Sequence, residues 1–213
     1  MIRYSLAFII LFSCRFGELK EHELSDGGIL LETSISESSF SNQMAYKKYV
    51  DAMEQFKEQD FVQAKEKLSA ALTLDPDNDI IIGAIGLCEL ALGNFETAIS
   101  LENKAIRIRG GEVSGYQVNL SKIYLTMKEY KRAIRYSQKV IDNSSSALLI
   151  QAAYLNKAIA LYELNELDSA LTNIDKSILY SDVQSRKSIK FARAFKSKIE
   201  QELNARELRK TVN

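Results

Sequence analysis

Side chains able to carry chemistry are sparse in this chain of 213 residues. The one histidine, His22, lies in a stretch without helical periodicity. That leaves no histidine-based triad and no multi-histidine metal site. The two cysteines, Cys14 and Cys88, are too few for a disulfide framework. Gly83, Gly86 and Gly93 fall inside or just after a helical pattern, at packing positions rather than in a phosphate-cradling loop. Aspartates and glutamates are plentiful, but no pair stands out from solvated helix faces. The residues therefore read as non-catalytic, with no cofactor and no metal. Basic and acidic side chains balance at 28 each, so global charge implies no polyanionic partner. With no recognition motif either, nucleic acid is not expected as a ligand.

What remains to explain is apolar periodicity. Residues 59–78 read as the turn and second helix of a helical hairpin. Asp60 stands where an N-cap belongs. Phe61, Ala64, Leu68, Ala71 and Leu72 then form one apolar stripe. Asp75-Pro76-Asp77 ends it, because proline disfavours a helical residue before it. One short helix cannot bury that stripe alone, so neighbours must be supplied.

The chain supplies them by repetition. A small residue in a first helix falls at Ala52, Gly86, Ser121 and Ala158. An aromatic or leucine after the turn falls at Phe61, Phe95, Tyr130 and Leu167. Small residues in the second helix fall at Ala64, Ala98, Ala133 and Ala170, then at Ala71, Ala105, Val140 and Ser177. Every column advances by 34, 35 and 37 residues. The extra residues must lie between units, near Gly110-Gly111 and near 144–150. Small side chains at such columns let two helix axes approach to about 8–10 Å.

A period near 34 with helix–turn–helix units resembles the tetratricopeptide repeat (TPR) family over roughly residues 45–182. No tryptophan stands at the family's early aromatic position, where Lys48 and Ile82 are found, and the closing proline survives only as Pro76. The resemblance implies an all-α superhelix of four hairpins, at 45–78, 79–112, 114–147 and 151–182. It also implies a concave groove lined by the first helices. Mapped onto this sequence, the groove positions are Tyr49, Met53, Phe56, Gly83, Leu87, Leu90, Asn119, Lys122, Asn156, Ile159 and Tyr162. The N-terminal half of that surface is apolar and suits a hydrophobic peptide or helix. Asn119 and Asn156 offer amides to a ligand backbone. Packing against neighbouring helices is the competing reading for all of these. Tyr49 and Met53 replace the Lys and Asn of the family's carboxylate clamp, which argues against chaperone-tail binding.

After residue 181 the pattern does not complete another unit. Ile189, Ala192, Phe195, Ile199 and Leu203 form a stripe, and residues 183–213 read as a capping helix that covers the last open face. Its other face is basic, with Arg186, Lys187, Lys190, Arg193, Lys196, Lys198, Arg206, Arg209 and Lys210. That face is either a solvated cap surface or a contact for anionic lipid or an acidic partner.

The N-terminus carries an address. Arg3 precedes an almost wholly apolar run over 5–13, too short to span a bilayer but of signal-peptide length. The run ends in Leu11-Phe12-Ser13-Cys14, which resembles the lipobox of bacterial lipoproteins, although Phe12 is larger than usual. That resemblance implies removal of residues 1–13 and lipidation of Cys14. An ordinary secretion signal and an uncleaved anchor are the alternatives. Residues 14–42 read as a flexible tether. Cys88 then reads as a buried, unpaired thiol.

The expected protein is a lipid-anchored repeat scaffold of the cell envelope that binds another protein or peptide and meets the membrane through its lipid. In layout it is similar to pilus pilotins and to repeat lipoproteins of outer-membrane assembly. A self-associating assembly factor, forming a homo-oligomer, and an accessory adaptor of an envelope enzyme are the rival readings.

Overall fold

The computed structural model describes residues 35–111, 113–181 and 186–212. The signal sequence expected at 1–13, Cys14, His22 and the tether up to residue 34 lie outside the described residues. Within them the chain is entirely helical, apart from turns and short connections.

Eight helices pair into four hairpins: α1 (Gln43–Lys57) with α2 (Phe61–Leu74), α3 (Asp79–Ala91) with α4 (Phe95–Arg109), α5 (Ser114–Thr126) with α6 (Tyr130–Asn143), and α7 (Ala147–Glu163) with α8 (Leu167–Leu179). A ninth, α9 (Arg186–Val212), closes the row. Each second helix packs on its own first helix and on the first helix of the next hairpin. This is the expected all-α superhelix of four hairpins and a capping helix.

The small-residue columns sit where the helices cross. Ala52, Ala64, Ala98, Ala133, Ala158 and Ala170 are all fully buried. In the third hairpin two columns touch: Ser121 Oγ donates to the Ala133 carbonyl at 3.0 Å. The columns are therefore contact sites and not merely helix-favouring residues.

A shared turn joins the helices of each hairpin. Gln59, Gly93, Lys128 and Asn165 all have positive φ, between 60° and 82°. In each turn one amide bonds back three residues and the next bonds back five, as in Gln59 N to Phe56 O and Asp60 N to Gln55 O. That is the Schellman pattern, which satisfies the orphan carbonyls of the first helix. Asp60 caps α2 through Gln63 N, as expected. The turn residues advance by the same 34, 35 and 37 as the other columns.

Two details extend the expectation. The extra residues around 147–150 are helical and lengthen α7 to 17 residues, against 13 in α5. Residues 35–42, assigned to the tether, belong to the folded unit. Phe40 is 9% exposed, with its ring 5.2 Å from both Tyr46 and Tyr49. Ser41 donates from N and Oγ to Asp75, at 2.9 and 2.6 Å, and Asn78 Nδ2 donates to Ser39 O. Asn78 in turn caps α3 through the amides of Ile80 and Ile81. The segment before α1 is thus tied to the junction between the first two hairpins.

The capping helix continues the repeat. Ala192 follows Ala158 by 34 residues and is equally buried. In the four hairpins the chain turns seven residues after the small residue. At the equivalent Ile199 it does not turn; Ile199 is buried and helical, and α9 runs on for 27 residues in all. Phe191, Ala192, Phe195 and Ile199 join the core of the third and fourth hairpins.

Candidate protein-binding surfaces

The groove positions read from the sequence lie on the first helices of the hairpins, but most are engaged within the protein. Phe56 meets Phe61 edge-on at 5.0 Å. Tyr49 and Leu87 are buried in the N-terminal core. Gly83 lies beneath Tyr116, so close that a Cβ there would stand 2.6 Å from the ring. Asn119 Nδ2 donates to both Glu102 carboxyl oxygens, at 3.2 and 3.3 Å. Asn156 Nδ2 points to the Val118 carbonyl at 3.5 Å. Ile159 is 5% exposed. Tyr162 is fully buried, packed edge-on against Phe195 at 5.2 Å, with its hydroxyl donating to Glu202. Met53 and Leu90 are half-buried and packed against the two apolar cores, and Lys122 is half-buried.

Two polar networks hold the neighbouring hairpins in register. Asp79, at the start of α3, accepts from Arg109 Nε at 2.6 Å and from the Tyr116 hydroxyl at 2.5 Å. It thereby ties α3, α4 and α5 together. Glu102 on α4 is fully buried beside Gly86 and Asn119. Burial pushes its carboxyl well above the ordinary range, and the bond from Asn119 only partly offsets that. Asn119 Oδ1 has no hydrogen-bond partner, nor does buried Gln117 Oε1.

Cys88 is buried, and burial followed by the Glu89 charge pushes its thiol up to about 12. It is an inert thiol rather than a nucleophile. No group of three or more His, Cys, Asp or Glu side chains gathers among the described residues. No described helix is long and apolar enough to cross a membrane.

One surface was not anticipated. Tyr124 and Tyr136 stack at 5.4 Å, 16° from parallel. Arg132 stands over Tyr124 at 5.4 Å, and Arg135 and Lys139 stand over Tyr136 at 5.5 and 5.9 Å. The signal was present in the sequence as Lys131, Arg135 and Lys139 at four-residue spacing on α6.

Residues 114–146 match the family model described as tetratricopeptide repeat. No curated protein matches the chain. Solved structures with the same fold include MamA residues 41 to the end from Desulfovibrio magneticus RS-1, 13% identical, covering 77% of this chain and 97% of that one at a TM-score of 0.55. A tetratricopeptide repeat protein from Parabacteroides merdae is 17% identical, covering 79% and 68% at 0.53. The chain therefore has a TPR-like superhelical fold, and its third hairpin is the unit that matches the repeat model.

Proposed function

We propose that this chain is a non-catalytic scaffold that binds another protein or peptide, held at the cell envelope by a lipid on Cys14. The observation that carries the binding role is the fold itself: four stacked hairpins whose first helices carry the half-buried Met53, Leu90 and Lys122. Its hydrogen-bonded interior serves architecture, which leaves the surface for recognition. The anchor rests on the Leu11-Phe12-Ser13-Cys14 motif alone.

Photo-crosslinking residues placed at positions 53, 90 and 122 test the groove in the native envelope, with position 66 on the exposed face of α2 as control. Adducts at the three groove sites but not at 66 support it; adducts only at 66 overturn it. Palmitate labelling that disappears in Cys14→Ala supports the anchor, and labelling that persists refutes it.

Self-association is a second reading, favoured by the uncovered outer side of α9, where Leu208 is 66% exposed. Light scattering across a concentration series decides it, and a concentration-independent monomer excludes it.

A further inference from the structure

We propose that the chain covers its own first helix: the apolar run Ile29-Leu30-Leu31 folds back over the side of α1 that carries Tyr46 and Val50. The inference goes beyond the scaffold reading and rests on neither the groove nor the anchor. The repeat columns show what that side meets elsewhere. Val50 shares a column with Ala84, Asn119 and Asn156, at the same steps of 34, 35 and 37. Those three are at most 6% exposed, whereas Val50 is 38% exposed. Asn119 shows what covers the column, because it meets Glu102 on α4, the second helix of the preceding hairpin. Tyr46 shares a column with Ile80, Gly115 and Ala152, all buried, yet it is itself only half-buried. Among the described residues no second helix precedes α1. One apolar flank of the array is thus open at its start, while α9 covers the face at its other end.

Where the chain arrives selects the occupant. The Phe40 ring stands 5.2 Å from Tyr46, and Ile35 packs against the same N-terminal core. The polypeptide therefore passes this side of α1 on its way into the helix. Val50 lies one turn beyond Tyr46, about 6 Å along the axis. Between Cys14 and Ile35 the only run of three apolar residues is Ile29-Leu30-Leu31, and it ends four residues before Ile35. Four extended residues span about 13 Å and six span about 20 Å, so the whole run is within reach of Val50. Folding back removes both the run and the flank from water. A tether this short also gives the run an effective concentration on the order of millimolar, which a second copy or another protein has to exceed. The run stays in the chain whether or not residues 1–13 are removed.

The test places a photo-crosslinking residue at position 50 of the purified, detergent-solubilised full chain, as an equal mixture of isotopically light and heavy protein. Adducts to residues 29–31 of the same chain are the expected result. Adducts that join light to heavy chains put a second copy on this flank and overturn the proposal, as does the absence of adducts to 29–31. Hydrogen exchange reads the same contact without a probe. Ile29→Ser/Leu30→Ser/Leu31→Ser is expected to speed exchange of the α1 amides roughly ten-fold, and Val50→Ser to act in the same direction. Because both remove one contact, combining them is expected to add little to the larger effect. Leu19→Ser, outside the run, is expected to leave exchange unchanged. Additive effects of the first two variants, or a Leu19→Ser effect equal to that of the triple variant, overturn the proposal. Crosslinks to another protein from 90 or 122 in the envelope are a separate result, so failure here leaves the binding reading standing.

Discussion

Asn119 holds both carboxyl oxygens of Glu102 across the junction of the second and third hairpins, and no other hydrogen bond among the described residues satisfies that acid. Two buried polar groups thus face each other where the first and fourth hairpins bury Leu68 and Ile174 at the equivalent position and the third buries Ser137. The glutamate is accommodated because Gly86 opposite it has no side chain; a Cβ there would lie 3.1 Å from Oε1.

The consequence is a stability that depends on pH with a definite sign. The folded state raises the Glu102 carboxyl well above its ordinary 4.5, chiefly by burial. Over the interval between the unfolded and folded values the native state binds more protons than the unfolded one. Stability from this group is thus complete below about 4.5 and declines as pH rises through the folded value. Glu102→Gln keeps the shape and cannot ionise. Urea melts of both proteins from pH 4.5 to 8 are expected to show the variant gaining relative to the parent as pH rises. A constant difference across that range refutes the account.

Asp75 acts in the opposite direction. Burial alone would raise its carboxyl, but hydrogen bonds from Ser41 and Asn78 outweigh that and hold it below 3.8. Its contribution is present above about 3.8 and is lost as pH falls through the folded value. Ser41→Ala removes one of the two Ser41 bonds, and Asp75→Asn weakens both. Each is expected to cost about 1–2 kcal/mol at neutral pH. Hydrogen exchange at the Ser41 amide is the measurement, and unchanged protection in Asp75→Asn would show that residues 35–42 are held by Phe40 and the Asn78–Ser39 bond instead.

Much of this fold was legible because its signals are spacings. Ala64, Ala98, Ala133 and Ala170 reveal helix crossings through size alone, whatever surrounds them. The turn conformation was not legible in three of four hairpins, since Gln59, Lys128 and Asn165 carry no glycine to betray a positive φ. Glu102 was hidden for a different reason. A glutamate on a helix reads as solvated, and its burial depends on Gly86 of another helix. The groove positions lie on first helices, and whether Asn119 and Tyr162 face solvent depends on the partners Glu102 and Glu202, distant in sequence.

The left-handed turns give a prediction free of packing effects. At Gly93 nothing lies within 4 Å of an added Cβ, so Gly93→Ala acts through conformation only, at a cost of about 1 kcal/mol. The equivalent Lys128 already bears that strain, and Lys128→Gly is expected to recover a similar amount, about 0.5–1 kcal/mol. Thermal melts that move in opposite directions for the two variants support a shared turn; a loss of stability in Lys128→Gly refutes it.

Gly83 differs from Gly93 because its constraint is contact. Its φ is ordinary, yet Tyr116 Cε1 occupies the place of a Cβ at 2.6 Å. Gly83→Ala gains helix propensity but must displace that ring, and with it the hydroxyl that donates to Asp79. The overpacking outweighs the propensity, for a net loss of about 1–3 kcal/mol. Tyr116→Leu in the same background removes the ring edge and the hydroxyl together. The double variant is therefore expected to recover part of the loss, giving a coupling that a double-mutant cycle reads directly. Additive losses would mean that Gly83 and Tyr116 do not press on each other.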